Sequence, residues 1–326
     1  MNAPNAKLFR SLATVFVLVP ATFFTPTITF CQISHTSSGL VSQERTDSDD
    51  ILLNITVTDS KGNYVKALPR DAFKIIEGKE TREISFFSDL ATPTSVGIIF
   101  DTSGSLEGNK EKAAQEAMKS FMRAGNLTNE YFLITFDRQP ILLQDWTPDG
   151  SEVLDKLASV NAKGATALYD ACRLGIEKLK SSSYQKRVLL LISDGEDTSS
   201  RFTLKELHRL LKESNVLLYA LTISGAYFLP DSLGQTGLTV MDELSSLTGG
   251  RTFFPLNLEQ AKRDAEIIAT ELYNQYLISI KPAKAVKNDE WHKIKVKIDL
   301  PPQGASDLKG LSIRTREGYY VMAKMP

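Results

Sequence analysis

The chain has 326 residues, 42% of them hydrophobic and 24% charged, with a net charge of −1. That balance belongs to a globular protein with one large or two modest cores, and it gives no reason to expect nucleic acid or an anionic membrane as partner. Two cysteines and three scattered histidines exclude a disulfide scaffold or zinc ribbon and argue against a histidine-based metal site or triad.

In chain order, Lys7 and Arg10 precede an apolar stretch, LATVFVLVPATFF (12–24), that is short for a membrane span and suits a secretory signal. Residues 1–31 are therefore expected to be a signal peptide, with Thr29 and Cys31 as the small residues before cleavage at Gln32. Acylation of Cys31 is disfavoured, because Phe30 is bulky for a lipobox. Residues 32–50 are polar and aperiodic, a flexible leader. Loss of 1–31 leaves Cys172 as the only cysteine, at a position whose helical spacing of apolar neighbours predicts a buried, inert thiol.

From 51 the pattern has period two. ILLNITVTD (51–59) is a strand, DSKGN (59–63) a turn, and FKIIEGKETREISFF (73–87) a hairpin about Glu77–Lys79. The texture changes at Thr94. VGIIF (96–100), YFLITF (131–136), RVLLLIS (187–193) and VLLYALTI (216–223) are apolar runs of buried strands, and ILLQDW (141–146) predicts a short antiparallel one. Helical spacing separates them at 109–124, 150–160, 166–180 and 204–214. MDELSSLTGG (241–250) ends on a Gly pair suited to a helix terminus, and a long helix covers 258–275. Alternation of strands and helices predicts a doubly wound, mostly parallel sheet. After 276 the period returns to two. Two short β flanks are each marginal alone, so 51–90 and 276–326 are expected to form one small β-sandwich-like domain with the α/β domain 91–275 inserted in it.

Ligands of open α/β sheets gather at the carboxyl ends of strands. Three segments bring small oxygen-bearing side chains there: Asp101, Ser103 and Ser105 in DTSGS, Thr166 in NAKGATALYDA, and Asp194 in LLLISDGEDTSS. Two carboxylates and three hydroxyls, without nitrogen or sulfur, suit a hard cation such as Mg²⁺ or Mn²⁺. So few protein charges leave the ion electrophilic, and an external carboxylate can fill its last position. Each hydroxyl taken singly also reads as a helix N-cap, and Asp194-Gly195 as a turn pair. Glu196, Asp197 and Ser199 read as loop and cap residues.

These five positions resemble the metal ion-dependent adhesion site of von Willebrand factor type A domains, over about residues 94–275. VTDSKG (57–62), EGK (77–79), LTGGRTFFP (247–255) and REGYYV (316–321) are similar to exported bacterial proteins of the VWFA-related, acidobacterial type. The resemblance implies a dinucleotide-binding-like sheet with one antiparallel edge strand and no catalysis in the A domain. The expected protein is an exported, periplasmic or secreted binding or adhesion protein that holds an acidic residue of a protein partner through the metal. The alternatives are an envelope scaffold with an unused metal site, or a Mg²⁺-dependent phosphatase with Asp101 as nucleophile. The phosphatase reading lacks a second carboxylate at 103 and a well-placed lysine. The absence of a nucleotide-binding glycine motif leaves nucleotide chemistry unsupported. The loop 225–239 is expected on the metal rim, as a carrier of partner specificity or as a plain excursion.

Overall fold

The computed structural model describes residues 50–126, 128–160, 162–223, 232–282, 290–299 and 310–320, all within the compact unit Arg45–Pro326. The expected signal peptide, and the leader as far as residue 49, lie outside the described residues. The first strands are β1 (Ile51–Thr58), β2 (Phe73–Glu77), β3 (Glu80–Arg82) and β4 (Ile84–Ser88). The α/β part runs β5 (Thr94–Asp101), α1 (Asn109–Ala124), β6 (Glu130–Phe136), β7 (Pro140–Thr147), α2 (Gly150–Leu157) and α3 (Leu168–Leu179). It continues with β8 (Lys186–Ser193), α4 (Leu204–Glu213), β9 (Val216–Thr222), α5 (Ser232–Thr248), β10 (Thr252–Phe253) and α6 (Leu258–Tyr273). Strands β11 (Tyr276–Ile280), β12 (Trp291–Ile298), β13 (Ser312–Arg314) and β14 (Gly318–Tyr320) follow.

The central sheet has the order β10-β9-β8-β5-β6-β7, parallel throughout except for β7 against β6. Every residue of β5 is buried, which is why its sequence shows no alternation. Val96, Ile98 and Phe100 point into a core shared with α1, α2 and α6, whereas Ile99 belongs to the opposite core with α3, α4 and α5. Gly175 lets α3 lie flat on the sheet, since a Cβ there would come within 2.7 Å of Ile99 and Leu189.

Two four-stranded sheets, β13-β1-β11-β4 and β14-β12-β2-β3, are built from the two ends of the described chain together. Strand β1 pairs antiparallel with β11, Leu53 opposite Ile278, and β2 pairs with β12, Ile75 opposite Val296. One buried cluster draws Leu53 and Ile55 from the first sheet and Ile75 and Val296 from the second. Each sheet thus covers the apolar face of the other.

Two local expectations are corrected. The hairpin over 73–87 keeps only β2 and β3 together, because β4 leaves after Glu83 to pair with β11 in the other sheet. The loop 225–239 is shorter than expected: residues 232–239 belong to α5, and 225–231 lie outside the described residues. Gly237, which reads as a loop residue, is buried in that helix against Gly195, where a Cβ would come within 2.7 Å of the Gly195 backbone. Close approach, not turning, explains that glycine.

The α/β part meets the β sheets through buried polar groups. Glu271 of α6 accepts hydrogen bonds from Thr56 and Tyr64, each at 3.4 Å, and from Tyr219 and Arg314, and it pairs with Arg251 at 3.3 Å. Gln275 donates to Thr56 Oγ1 at 3.1 Å and to the Tyr219 hydroxyl at 3.0 Å. Arg316 donates to the carbonyls of Lys212 and Ser214 and to Asn215 Oδ1. Lys186 donates its ammonium to the Leu272 carbonyl, and burial pulls its pKa down to about 7.

Candidate metal centre

Asp101 is the last residue of β5, so the strand carries its carboxylate to the carboxyl rim of the sheet, where it is 1% exposed. Its Oδ1 accepts from the Ser103 amide at 2.8 Å, and its Oδ2 accepts from the Ser193 hydroxyl at 2.6 Å. The Ser103 and Ser105 hydroxyls lie 2.9 Å apart. These three of the expected ligands form one hydrogen-bonded group. Burial pushes the Asp101 carboxyl up to about 6, and the nearby Asp194 charge adds to that, against the hydrogen bonds from Ser103 and Ser193.

Asp194 follows β8 and is also buried. It joins the group through Lys110, whose ammonium is 3.8 Å from Asp194 Oδ2 and donates to the Ser105 carbonyl at 2.7 Å. Thr166 is buried in the loop before α3. That loop is stitched to DTSGS by Lys163 N to Thr102 O (2.7 Å) and Gly104 N to Gly164 O (3.1 Å). It is stitched to the loop after β8 by Thr198 N and Ser199 N to Thr166 O, at 2.8 and 3.0 Å. Among the described residues, no hydrogen bond joins the Thr166 hydroxyl to the other four positions.

The capping alternative fails for the hydroxyls. Helix α1 starts after Gly108 and α3 after Ala167, neither with a side-chain cap. Ser103 precedes a 3-10 turn at 104–106 and makes no cap bond either. The capping of α3 instead comes from across the loop: Asp197 Oδ1 accepts from the Tyr169 amide at 3.3 Å, and the Ser200 hydroxyl accepts from the Asp170 amide at 3.1 Å. Asp197 is therefore a cap residue, in line with its sequence reading. Cys172 is fully buried in α3, and burial pushes its thiol up to about 12.

Sequence reasoning missed two residues of the rim, Ser193 and Lys110. Ser193 ends an apolar strand and looks like a simple polar stop, yet it holds Asp101 and accepts from the Gly195 amide at 3.0 Å. Lys110 sits in a charged helical stretch that reads as a solvated face. Gly195, expected as the glycine of a turn pair, has the positive φ (88°) of such a turn, and it also packs against Gly237 of α5.

The donor set fits a hard divalent cation. It offers only oxygen, in two carboxylates and three hydroxyls, and Asp101 is buried without a cationic hydrogen-bond donor. Among the described residues, no group of three or more His, Cys, Asp or Glu side chains is placed to hold a metal, here or elsewhere, so the candidate site depends on its hydroxyls as well as its two carboxylates.

Residues 96–196 match the family model of the von Willebrand factor type A domain. Solved structures with similar folds include the PilB minor pilin from Streptococcus sanguinis, 15% identical with a TM-score of 0.44, covering 57% of this chain and 62% of the pilin. BatB from Bacteroides thetaiotaomicron is 15% identical with a TM-score of 0.43, covering 55% of this chain and 98% of BatB. The vWF domain of the type V pili tip protein Mfa5 from Porphyromonas gingivalis is 21% identical with a TM-score of 0.30, covering 33% of this chain and 40% of that one. The chain thus spans less than two thirds of the pilin. No curated protein matches. These likenesses are too distant to carry a function across.

Proposed function

We propose that the von Willebrand factor type A domain of this chain is a non-enzymatic binding module that engages an acidic residue of a protein partner through a divalent cation. The observation that carries the reading is Asp101: a buried carboxylate at a strand end, beside two hydroxyls that cap nothing. Ser103 and Ser105 are the direct ligands, Asp101 and Asp194 bind directly or through water, and Thr166 joins in at least one state. A bound Mg²⁺ or Mn²⁺ would supply an electrophilic position for the partner's carboxylate. Ser193 fixes the Asp101 carboxylate through Oδ2, and the Ser103 amide fixes it through Oδ1.

In the same reading the protein is exported. No helix among the described residues is long and apolar enough to cross a membrane. The domain division in this reading is one β domain from 51–90 and 276–326, carrying the inserted unit 91–275, and the pairing of β1 with β11 and of β2 with β12 supports it. Calorimetric titration of Mg²⁺ and Mn²⁺ into the protein and into Asp101→Ala tests the site. Binding by the first and not by the second is expected; equal heats from both would reject it.

A further inference from the structure

Lys110 is the second residue of α1, and a positive charge in the first turn of a helix opposes the helix dipole. Its position is therefore not explained by helix stability. The ammonium is instead held over the rim by two oxygens, the Ser105 carbonyl at 2.7 Å and Asp194 Oδ2 at 3.8 Å. Gly108 (φ 79°) turns the chain back into α1 directly after the 104–106 turn, which brings Lys110 over the loop that precedes it. The side chain is 26% exposed, so the charge is only partly screened. Its carboxylate partner Asp194 carries a charge that is in turn unfavourable for the ionised form of Asp101.

We propose that Lys110 is a tethered cation that competes with the divalent ion for Asp194, so that metal enters only by displacing the ammonium. The inference rests on the metal reading of the site and deepens it by naming what sets the affinity. A fixed positive charge beside a bound dication raises the free energy of the loaded state, while in the empty state the same charge offsets the repulsion between the carboxylates. Both effects act in one direction. Metal binding is weak, and the site stays folded and compact without metal. Lysine suits this role because its long stem lets the ammonium swing towards solvent when an ion arrives.

The experiment compares the full chain with Lys110→Met, Lys110→Arg and Asp101→Ala, all stripped with EDTA and titrated calorimetrically with MnCl₂. Unfolding temperatures in EDTA show that each variant is folded. Lys110→Met keeps the apolar stem and is expected to bind Mn²⁺ about tenfold tighter or more, the size expected for removing one unit charge near a dication at a partly exposed site. Lys110→Arg keeps the charge and should stay close to the parent protein, and Asp101→Ala should not bind. If the parent binds and Lys110→Met binds equally or more weakly, the tethered-cation idea is overturned while the metal site stands. If neither binds, the metal reading fails and the proposal fails with it. If Lys110→Arg tightens binding as much as Lys110→Met, specific packing of lysine rather than charge is responsible, which also overturns it.

Discussion

Glu271 and Asp101 are both 1% exposed, yet the chain treats the two carboxylates in opposite ways. At the seam between the α/β part and the β sheets, Glu271 meets two arginines, two tyrosine hydroxyls and a threonine. At the rim, Asp101 accepts from the Ser103 amide and the Ser193 hydroxyl, no cation donates to it among the described residues, and the Asp194 carboxylate adds a like charge. A buried anion with its countercharges built in is a joint. One that no cation hydrogen-bonds is, in the proposed reading, a site.

The sharpest way to break this contrast is to truncate each anion. Glu271→Ala strands Arg314 and Arg251 at the seam and should cost about 4 kcal/mol in urea unfolding. A loss of under about 1 kcal/mol would mean that the seam is not held by charge. The surroundings of Glu271 inside the α/β part also predict a pH dependence. Lys186 has its pKa pulled down to about 7 in the folded chain against 10.5 otherwise, so the unfolded state binds more protons between those values. Stability should therefore rise with pH from about 7 towards about 10, by an amount on the order of a few kcal/mol, and Lys186→Met should flatten that rise. A parent protein whose stability falls over that range would contradict the burial of this lysine.

A third test lies at the rim itself, where Gly195 packs against Gly237. Gly237→Val has no room for its side chain and should cost about 2 kcal/mol, and it should disturb the loop that carries Asp194. The smallest effect should have the opposite sign. Asp101→Asn removes a buried charge, so in EDTA at neutral pH it should stabilise the protein by about 1 kcal/mol. The same variant should lose any stabilisation by Mg²⁺. A destabilised Asp101→Asn would place Asp101 with Glu271, as a structural anion.

Much of the rim was legible because its parts are local. D-x-S-x-S follows an apolar run, and a strand-end acid follows another, so strand order alone brings Asp101 and Asp194 to one edge. The alternation in LNITVTD and HKIKVKID similarly marked one apolar face on each β flank. The seam was not legible. Glu271 lies in ATELYNQ, where a glutamate among helix formers looks like any solvated side chain, and its partners Thr56, Arg251 and Arg314 come from distant segments. Ser193 was hidden for the same reason, since its partner Asp101 is 92 positions away. Gly237 was misread because a glycine that permits close packing has the same local signature as one that permits a turn.

The pairing of β1 with β11 bears on the order of folding. Thr56 and Gln275, bonded side by side in the finished protein, are separated by 219 positions, and β2 waits similarly for β12. The parallel sheet from β5 to β10 closes over much shorter stretches of chain. Strands β1 and β2 therefore have no partner in their own sheets, beyond the small β3 hairpin, until residues near 280 and 295 have been made. During that interval their apolar faces and open edges are exposed to other chains. The late return of the last β strands to the first is thus expected to be the slowest and most aggregation-sensitive step of assembly, after the rim that carries Asp101 and Asp194 has closed.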